Sequence, residues 1–417
     1  MEPSAGHPAS KRRDAVNHVT VGDFRIGPKE RQAVIDVLDS GRISEGARVR
    51  EFERRWAEFN GTRYCVATSS GFGALVVGWQ SIKYRRDIVR GRVITSPLTY
   101  IADASALIAV GLEPVFVDVD PITFCITPDA VESLLSTADP GEFVGLMPVD
   151  LMGFVTDMDA MRDIADRHGL ALVEDAAQAH GSVYKGRRAG SMGDLGVFSF
   201  YIAHNVQAGE MGAIVTDDLE VYKLARRLKA QGRACDCLVC TRSQGVCPQL
   251  SNADLETDTD PRFTHDLVGF NFKTMEFQAA LGLGQIENVD EIIRVRYENV
   301  KYLAQGLEDL GDHLQLPPVD PSVSYLAFPV VVKPQSPVSR ARLRSALERD
   351  GVETRPLFGS IPTQQPAFAN LRDAYSGKLP NADYAGLHGM YVGCHQYLER
   401  PDLDQIVGAF HSAFDGT

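Results

Sequence analysis

Leu170-Ala171-Leu172-Val173-Glu174-Asp175-Ala176-Ala177-Gln178 is the stretch that decides the fold class. Four apolar residues followed by two carboxylates read as a strand buried on both faces whose C-terminal end turns polar. Ahead of it, Asp157 to His168 carries helical spacing and feeds directly into the strand. The same rhythm extends outward. Short apolar runs at Tyr64-Cys65-Val66-Ala67-Thr68, Val93-Ile94-Thr95 and Pro114-Val115-Phe116-Val117-Asp118-Val119 each lie between a turn and a helical pattern. This alternation predicts an α/β architecture with a mixed, mainly parallel sheet. Ligands of such sheets gather beyond the C-terminal strand ends, which puts Asp175 at a binding edge. The plain alternative is a helix N-cap aspartate.

The rhythm breaks between about 233 and 268, where Cys, Pro and Asp crowd together. A long helical pattern then runs through Glu276-Phe277-Gln278-Ala279-Ala280 to about Leu307. Strand-like Tyr325 to Val332 and a helix from about Ser339 predict a small C-terminal α+β domain. The expected organisation is a disordered tail over 1–20, a large domain over 21–290 with a Cys-rich loop at 233–268, and a small domain over 291–417.

Among the 417 residues, 44% are apolar and 23% charged, as in an ordinary globular protein, and the formal net charge is −13. That balance, with no basic run long enough to follow a phosphate backbone, argues against nucleic acid as a partner. Lys11-Arg12-Arg13 reads as part of a solvated leader. No apolar stretch approaches the ~20 residues of a membrane span, and no signal-peptide core is visible, so the cytoplasm is expected. Thiols stay reduced there, and clustered ones bind metal or carry redox chemistry.

Two further segments carry chemistry. Thr68-Ser69-Ser70-Gly71-Phe72-Gly73-Ala74-Leu75 follows a strand and opens a helix, offering hydroxyls and free N–H groups to an anion, or simply a serine N-cap. Gly193-Asp194-Leu195-Gly196-Val197-Phe198-Ser199-Phe200-Tyr201-Ile202-Ala203-His204-Asn205 sets a serine five residues before a polar group, and Gly209-Glu210-Met211-Gly212 returns into a strand from Ala213 to Thr216. A carboxylate such as Asp175 can hold a pyridine nitrogen protonated, which makes the ring an electron sink.

In this order, the segments resemble the DegT/DnrJ/EryC1/StrS sugar aminotransferase family, which has the aspartate aminotransferase (type I) fold. The likeness also covers Ser40-Gly41-Arg42-Ile43-Ser44-Glu45-Gly46, Pro97-Leu98-Thr99-Tyr100 and Gly269-Phe270-Asn271-Phe272-Lys273-Thr274-Met275-Glu276. It implies pyridoxal or pyridoxamine phosphate (PLP or PMP) as cofactor. Ser70 and Ser199, with Gly71 and Phe72 in the same turn, would bind its phosphate. Tyr100 would stack on the ring, Asp175 would pair with its nitrogen, and Gln178 would touch its hydroxyl. Asn271 would reach the cofactor of a neighbouring subunit, implying a homodimer. Phe72 and Met211 depart from the family pattern at positions that shape the pocket.

The departure that matters most is His204, which stands where the family carries the lysine that binds the cofactor covalently. Histidine cannot make that bond, but imidazole remains a proton acceptor near neutral pH. The cofactor would then be held non-covalently in its amino form. Histidine in the frame Ser-Phe-Tyr-x-Ala-His resembles the 3-dehydratase branch, which removes the C3 hydroxyl of 4-keto sugars carried on a nucleotide or nucleoside, with His204 as base.

Cys235, Cys237, Cys240 and Cys247 fall within thirteen residues. Four thiolates suit a zinc ion or an iron–sulfur cluster, and spacing alone leaves both open. A Cys-rich loop after Gly232-Arg233 resembles that of cluster-bearing CDP-sugar members of the branch, which implies a [2Fe–2S] centre supplied by a reductase or ferredoxin. His180, His265 and His395 are expected to be structural. Arg355 reads equally as an anion ligand or a salt bridge. The competing readings are an aminotransferase using Lys273 or Lys185, and a non-catalytic, zinc-stapled homologue.

Overall fold

The computed structural model describes residues 18–235, 237, 260 and 263–415. Its large sheet has seven strands: β1 (Tyr64–Thr68), β2 (Arg92–Thr95), β3 (Glu113–Phe116), β4 (Phe143–Met147), β5 (Ala171–Asp175), β6 (Leu195–Ser199) and β7 (Gly212–Thr216). Their order is β1-β7-β6-β5-β4-β2-β3. Only β7 runs antiparallel to its neighbours, β1 and β6. The other pairings are parallel, so the expected mixed, mainly parallel sheet is present.

Helices α1 (Ala47–Asn60), α2 (Gly71–Arg86), α3 (Ala102–Ala109), α4 (Met158–His168) and α5 (Leu219–Leu228) flank it. The helix expected before β5 is α4. Asp157 caps it by accepting from the Ala160 N–H at 3.2 Å, and Gly169 ends it in the left-handed region at φ 66°. Met158, Met161, Ile164 and Ala165 form its buried stripe. All five residues of β5 are buried, with Ala171 and Val173 packed towards α2, α3 and α5 and Leu172 towards α4. That two-sided burial is why the strand reads as a continuous apolar run.

Helices α6 (Glu276–Glu287) and α7 (Val289–Gly306) divide what the sequence pattern joins. The break is Asn288, whose side-chain amide donates to the Gly284 carbonyl at 3.0 Å and whose N–H goes to Gln285 at 3.1 Å. A short amide side chain that bonds the backbone competes with helix continuation. Helix α7 then leads to an antiparallel sheet of β8 (Leu314–Gln315), β9 (Phe328–Val332), β10 (Arg355–Pro356) and β11 (Gly389–Val392), in the order β8-β9-β11-β10. Helices α8 (Arg340–Arg349) and α9 (Arg400–Phe414) contribute Leu343, Leu347, Ile406 and Phe410 to its core. One apolar cluster joins the two sheets, from Ile94, Leu146 and Leu172 to Phe328, Val330 and Met390.

The described chain begins at residue 18, inside the expected tail. Val19 is buried and bridged to Val352, its N–H donating to the Gly351 carbonyl at 2.8 Å. Local composition carries no trace of such a long-range edge pairing. Residues 1–17 lie outside the described residues, as does most of the Cys-rich loop.

Candidate active site

The C-terminal ends of the parallel strands open on a cavity of about 530 Å³. Ser70, Gly71, Phe72, Tyr100, Asp175, Gln178, Ser199 and His204 all line it, so one cavity gathers every expected cofactor residue except Asn271.

The first wall is the β1–α2 turn. Ser70 Oγ accepts from the Gly73 N–H at 3.0 Å and its carbonyl from the Ala74 N–H at 3.0 Å. The N–H groups of Gly71 and Phe72 are left at the positive end of a 16-residue helix. Gly71 lies so close to β6 that a Cβ there would sit 2.6 Å from Ser199 Cβ. Only glycine lets the two serines share one phosphate-sized corner.

The second wall is the end of β5. Strand alternation turns Glu174 away, where its carboxylate accepts from Gly190 N–H at 2.7 Å and Met192 N–H at 3.0 Å. Asp175 turns into the cavity and accepts from the Ala177 N–H at 2.9 Å. Gln178 Oε1 accepts from the Met152 N–H at 3.0 Å, which leaves its amide nitrogen for the cavity.

Behind Asp175 stands Asp103 of α3, a residue that sequence reasoning passed over. It is buried, lines the cavity and meets Asp175 within hydrogen-bonding range. Thr99 Oγ1 donates to Asp103 Oδ2 at 2.6 Å, while the buried Oδ1 accepts no hydrogen bond. Burial, then the neighbouring Asp175 charge, pushes the Asp103 carboxyl well above the usual carboxylate range. Burial raises Asp175 too, against the Asp103 bond and the Ala177 N–H. The available signal was an acid in the apolar run Ile101 to Ala109, with no basic neighbour.

His204 lies in the turn after β6, its N–H bonded to the Tyr201 carbonyl at 2.9 Å. Nδ1 is buried with no partner. Burial, reinforced by the Arg296 charge and opposed by the Tyr201 backbone, brings its pKa down to about 4. The imidazole is therefore neutral at physiological pH. Its ring centroid is 5.9 Å from that of His180, which sits among Trp56, Phe198 and Phe200. The Val206 N–H donates to His180 Nδ1 at 3.2 Å, and burial pulls this imidazole well below its ordinary range. His180 thus packs beneath His204 and does not line the cavity. Arg296, also missed, is fully buried and bonds the Leu326 carbonyl at 2.8 Å.

Tyr100 is exposed, 6.0 Å edge-on from Phe358. Arg355 lines the cavity yet pairs with Glu353 at 3.1 Å, so both readings of it keep support. Met211 is in the core beside Trp56 and does not line the cavity. His265 bonds the Gln231 carbonyl, and His395 lies by Thr20.

Asn271 is outside this cavity, exposed and bridged through its backbone to Ala230. Among the described residues no lysine lines the cavity. Lys185 is paired with Asp159 at 2.7 Å on the surface, and Lys273 lines a second cavity of about 620 Å³ together with Cys235 and Cys237. Cys240 and Cys247 lie outside the described residues. Among the described residues no three His, Cys, Asp or Glu side chains form a metal-holding group.

Comparison with known proteins agrees with the fold. The chain is 33% identical over 399 residues to the lipopolysaccharide biosynthesis protein RfbH of Salmonella typhimurium, covering 93% of this chain and 90% of the relative. It is 31% identical to GDP-perosamine synthase of Caulobacter vibrioides (94% and 97% covered) and 31% identical to dTDP-4-dehydro-2,6-dideoxy-D-glucose 3-dehydratase of Saccharopolyspora spinosa (91% and 82% covered). The solved GDP-4-keto-6-deoxy-D-mannose-3-dehydratase of E. coli with bound hydrated PLP superposes with a TM-score of 0.81 at 25% identity, covering 95% of this chain and 99% of that one. Residues 25–411 match the DegT/DnrJ/EryC1/StrS aminotransferase family, and the chain belongs to that family of PLP-fold, sugar-modifying enzymes.

Proposed function

We propose that the protein is a PMP-dependent 3-dehydratase that removes the C3 hydroxyl of a 4-keto sugar linked to a nucleotide or nucleoside. The observation that carries this reading is a neutral His204, and among the described residues no lysine, on the wall of the cofactor cavity.

The residues fit the cofactor. Ser70, Ser199 and the free N–H groups of Gly71 and Phe72 would hold its phosphate, Asp175 its ring nitrogen and Gln178 its ring hydroxyl. Tyr100 would cover the ring. When bound, PMP supplies an amine for the C4 ketone and a conjugated ring for the electron pair that expels the C3 hydroxyl. His204 takes up and returns the proton. With its pKa lowered by burial the imidazole is unprotonated at neutral pH, so a nitrogen lone pair is open to a proton. Exposed Asn271 would serve the cofactor of a second subunit in a homodimer. A cytoplasmic location fits a chain in which no described helix is long and apolar enough to cross a membrane.

The electrons for a deoxygenation would come through a [2Fe–2S] cluster held by Cys235, Cys237, Cys240 and Cys247 and reduced by a reductase or ferredoxin. Cys235 and Cys237 line one cavity wall. Anaerobic purification followed by iron and sulfide analysis tests this: zinc without iron would overturn it. Relatives such as GDP-perosamine synthase keep amino transfer as the second reading. Borohydride treatment of the PLP-loaded protein and peptide mapping separates the two. The dehydratase reading expects no pyridoxyl-lysine, and a labelled Lys273 or Lys185 would refute it.

A further inference from the structure

We propose that Asp103 is a positioning residue for the cofactor's ring nitrogen: it holds a proton on its own carboxyl and donates it to Asp175, which stays anionic towards the ring. The proposal rests on the cofactor reading above, not on the sugar chemistry.

Two carboxyl groups in contact inside a protein cannot both ionise cheaply, so the pair retains a proton. Asp103 is 1% exposed and Asp175 6%, so water offers little relief. Among the described residues no Lys, Arg or His pairs with either carboxylate, although His204, Glu210 and Arg355 line the same cavity. The surroundings decide which carboxyl keeps the proton. Asp175 Oδ1 accepts from the Ala177 N–H at 2.9 Å, which favours its anion. Asp103 accepts from Thr99 on Oδ2, and its buried Oδ1 accepts no hydrogen bond, so this oxygen is left to carry the proton. Burial and the Asp175 charge both push Asp103 towards its neutral form.

The consequence reaches the ring. A carboxylate stabilised by a donor is a weaker base, so the shared proton between Asp175 and a pyridine rests on the nitrogen. A protonated ring is the better electron sink. Asp103 thereby acts through Asp175.

The test is the ring-nitrogen chemical shift of ¹⁵N-labelled PMP bound to the full-length protein, referenced to free PMP at low and high pH. Wild type and Asp103→Asn, whose amide still donates, should both show the pyridinium value. Asp103→Ala should move the shift towards neutral pyridine and weaken PMP binding by about tenfold or more, the loss of one bond to a charged group. Asp103→Leu, which fills the space, replaces the alanine variant should that one fail to fold. An unchanged shift in the alanine or leucine variant overturns the proposal, as does a neutral ring in Asp103→Asn. Failure to remove a C3 hydroxyl with this shift pattern intact would sink the dehydratase reading alone.

Discussion

His204→Asn should make the protein more resistant to acid. In the unfolded chain this imidazole titrates near its ordinary 6.5, whereas burial holds it at about 4 in the folded state. Between those values the unfolded chain binds the extra proton, so folding stability falls as pH drops through that window. At about pH 7.5 neither state is protonated and the linkage is close to zero. At about pH 5 it amounts to RT ln[(1 + 10^1.5)/(1 + 10^−1)], or about 2 kcal/mol of lost stability. Asparagine keeps a polar side chain of similar size and has no proton to bind. Urea unfolding at the two pH values, at one fixed protomer concentration, gives the comparison. Wild type should lose about 2 kcal/mol more than the variant across this step. Burial lowers His180 and His395 as well; the His395 loss is common to both proteins and cancels in the difference, whereas His180 is also lowered by the His204 charge, so its change adds to what the variant relieves. Equal losses in the two proteins would show that the fold does not hold His204 below its ordinary pKa, and this reasoning would be refuted.

Other substitutions test other parts. His204→Asn should also cut turnover by about 10² to 10⁴, the usual worth of a positioned base, measured at neutral pH with saturating PMP. Gly71→Ala puts a Cβ 2.6 Å from Ser199 Cβ and should cost about 1–3 kcal/mol in urea unfolding while weakening PMP binding. Glu276→Ala strips the α1 N-terminus of an acceptor for the N–H groups of Gly46, Arg48 and Val49 at 2.8–2.9 Å, for a loss of about 2–4 kcal/mol. Cys235→Ser with Cys237→Ser should abolish bound iron and sulfide and leave PMP binding unchanged; iron retained in that variant would refute the ligand assignment.

The strands that build the site were visible because they are buried on both faces. Tyr64–Thr68 and Ala171–Asp175 read as apolar runs, and their ends carry the acid and the hydroxyls. Ser70, Asp175, Gln178 and His204 converge because each sits at a strand end or in the turn beyond it. What stayed hidden depends on contacts distant in sequence. Asp103 reads locally as an ordinary first-turn acid, and only the approach of β5 makes it one half of a carboxyl pair. Arg296 reads as one charge of an amphipathic helix, yet the small domain buries it completely. The end of α6 at Asn288 leaves the 3.6-residue pattern uninterrupted, so periodicity alone runs through it. Val19 joins the fold through a partner more than three hundred residues away.

The most direct test is product analysis. Purified protein is incubated anaerobically with PMP and a 4-keto nucleotide sugar, and the sugar is examined by mass spectrometry and NMR. A histidine-for-lysine dehydratase should yield a sugar that has lost its C3 hydroxyl, and His204→Asn should not. A 4-amino sugar with the C3 hydroxyl intact would contradict the account.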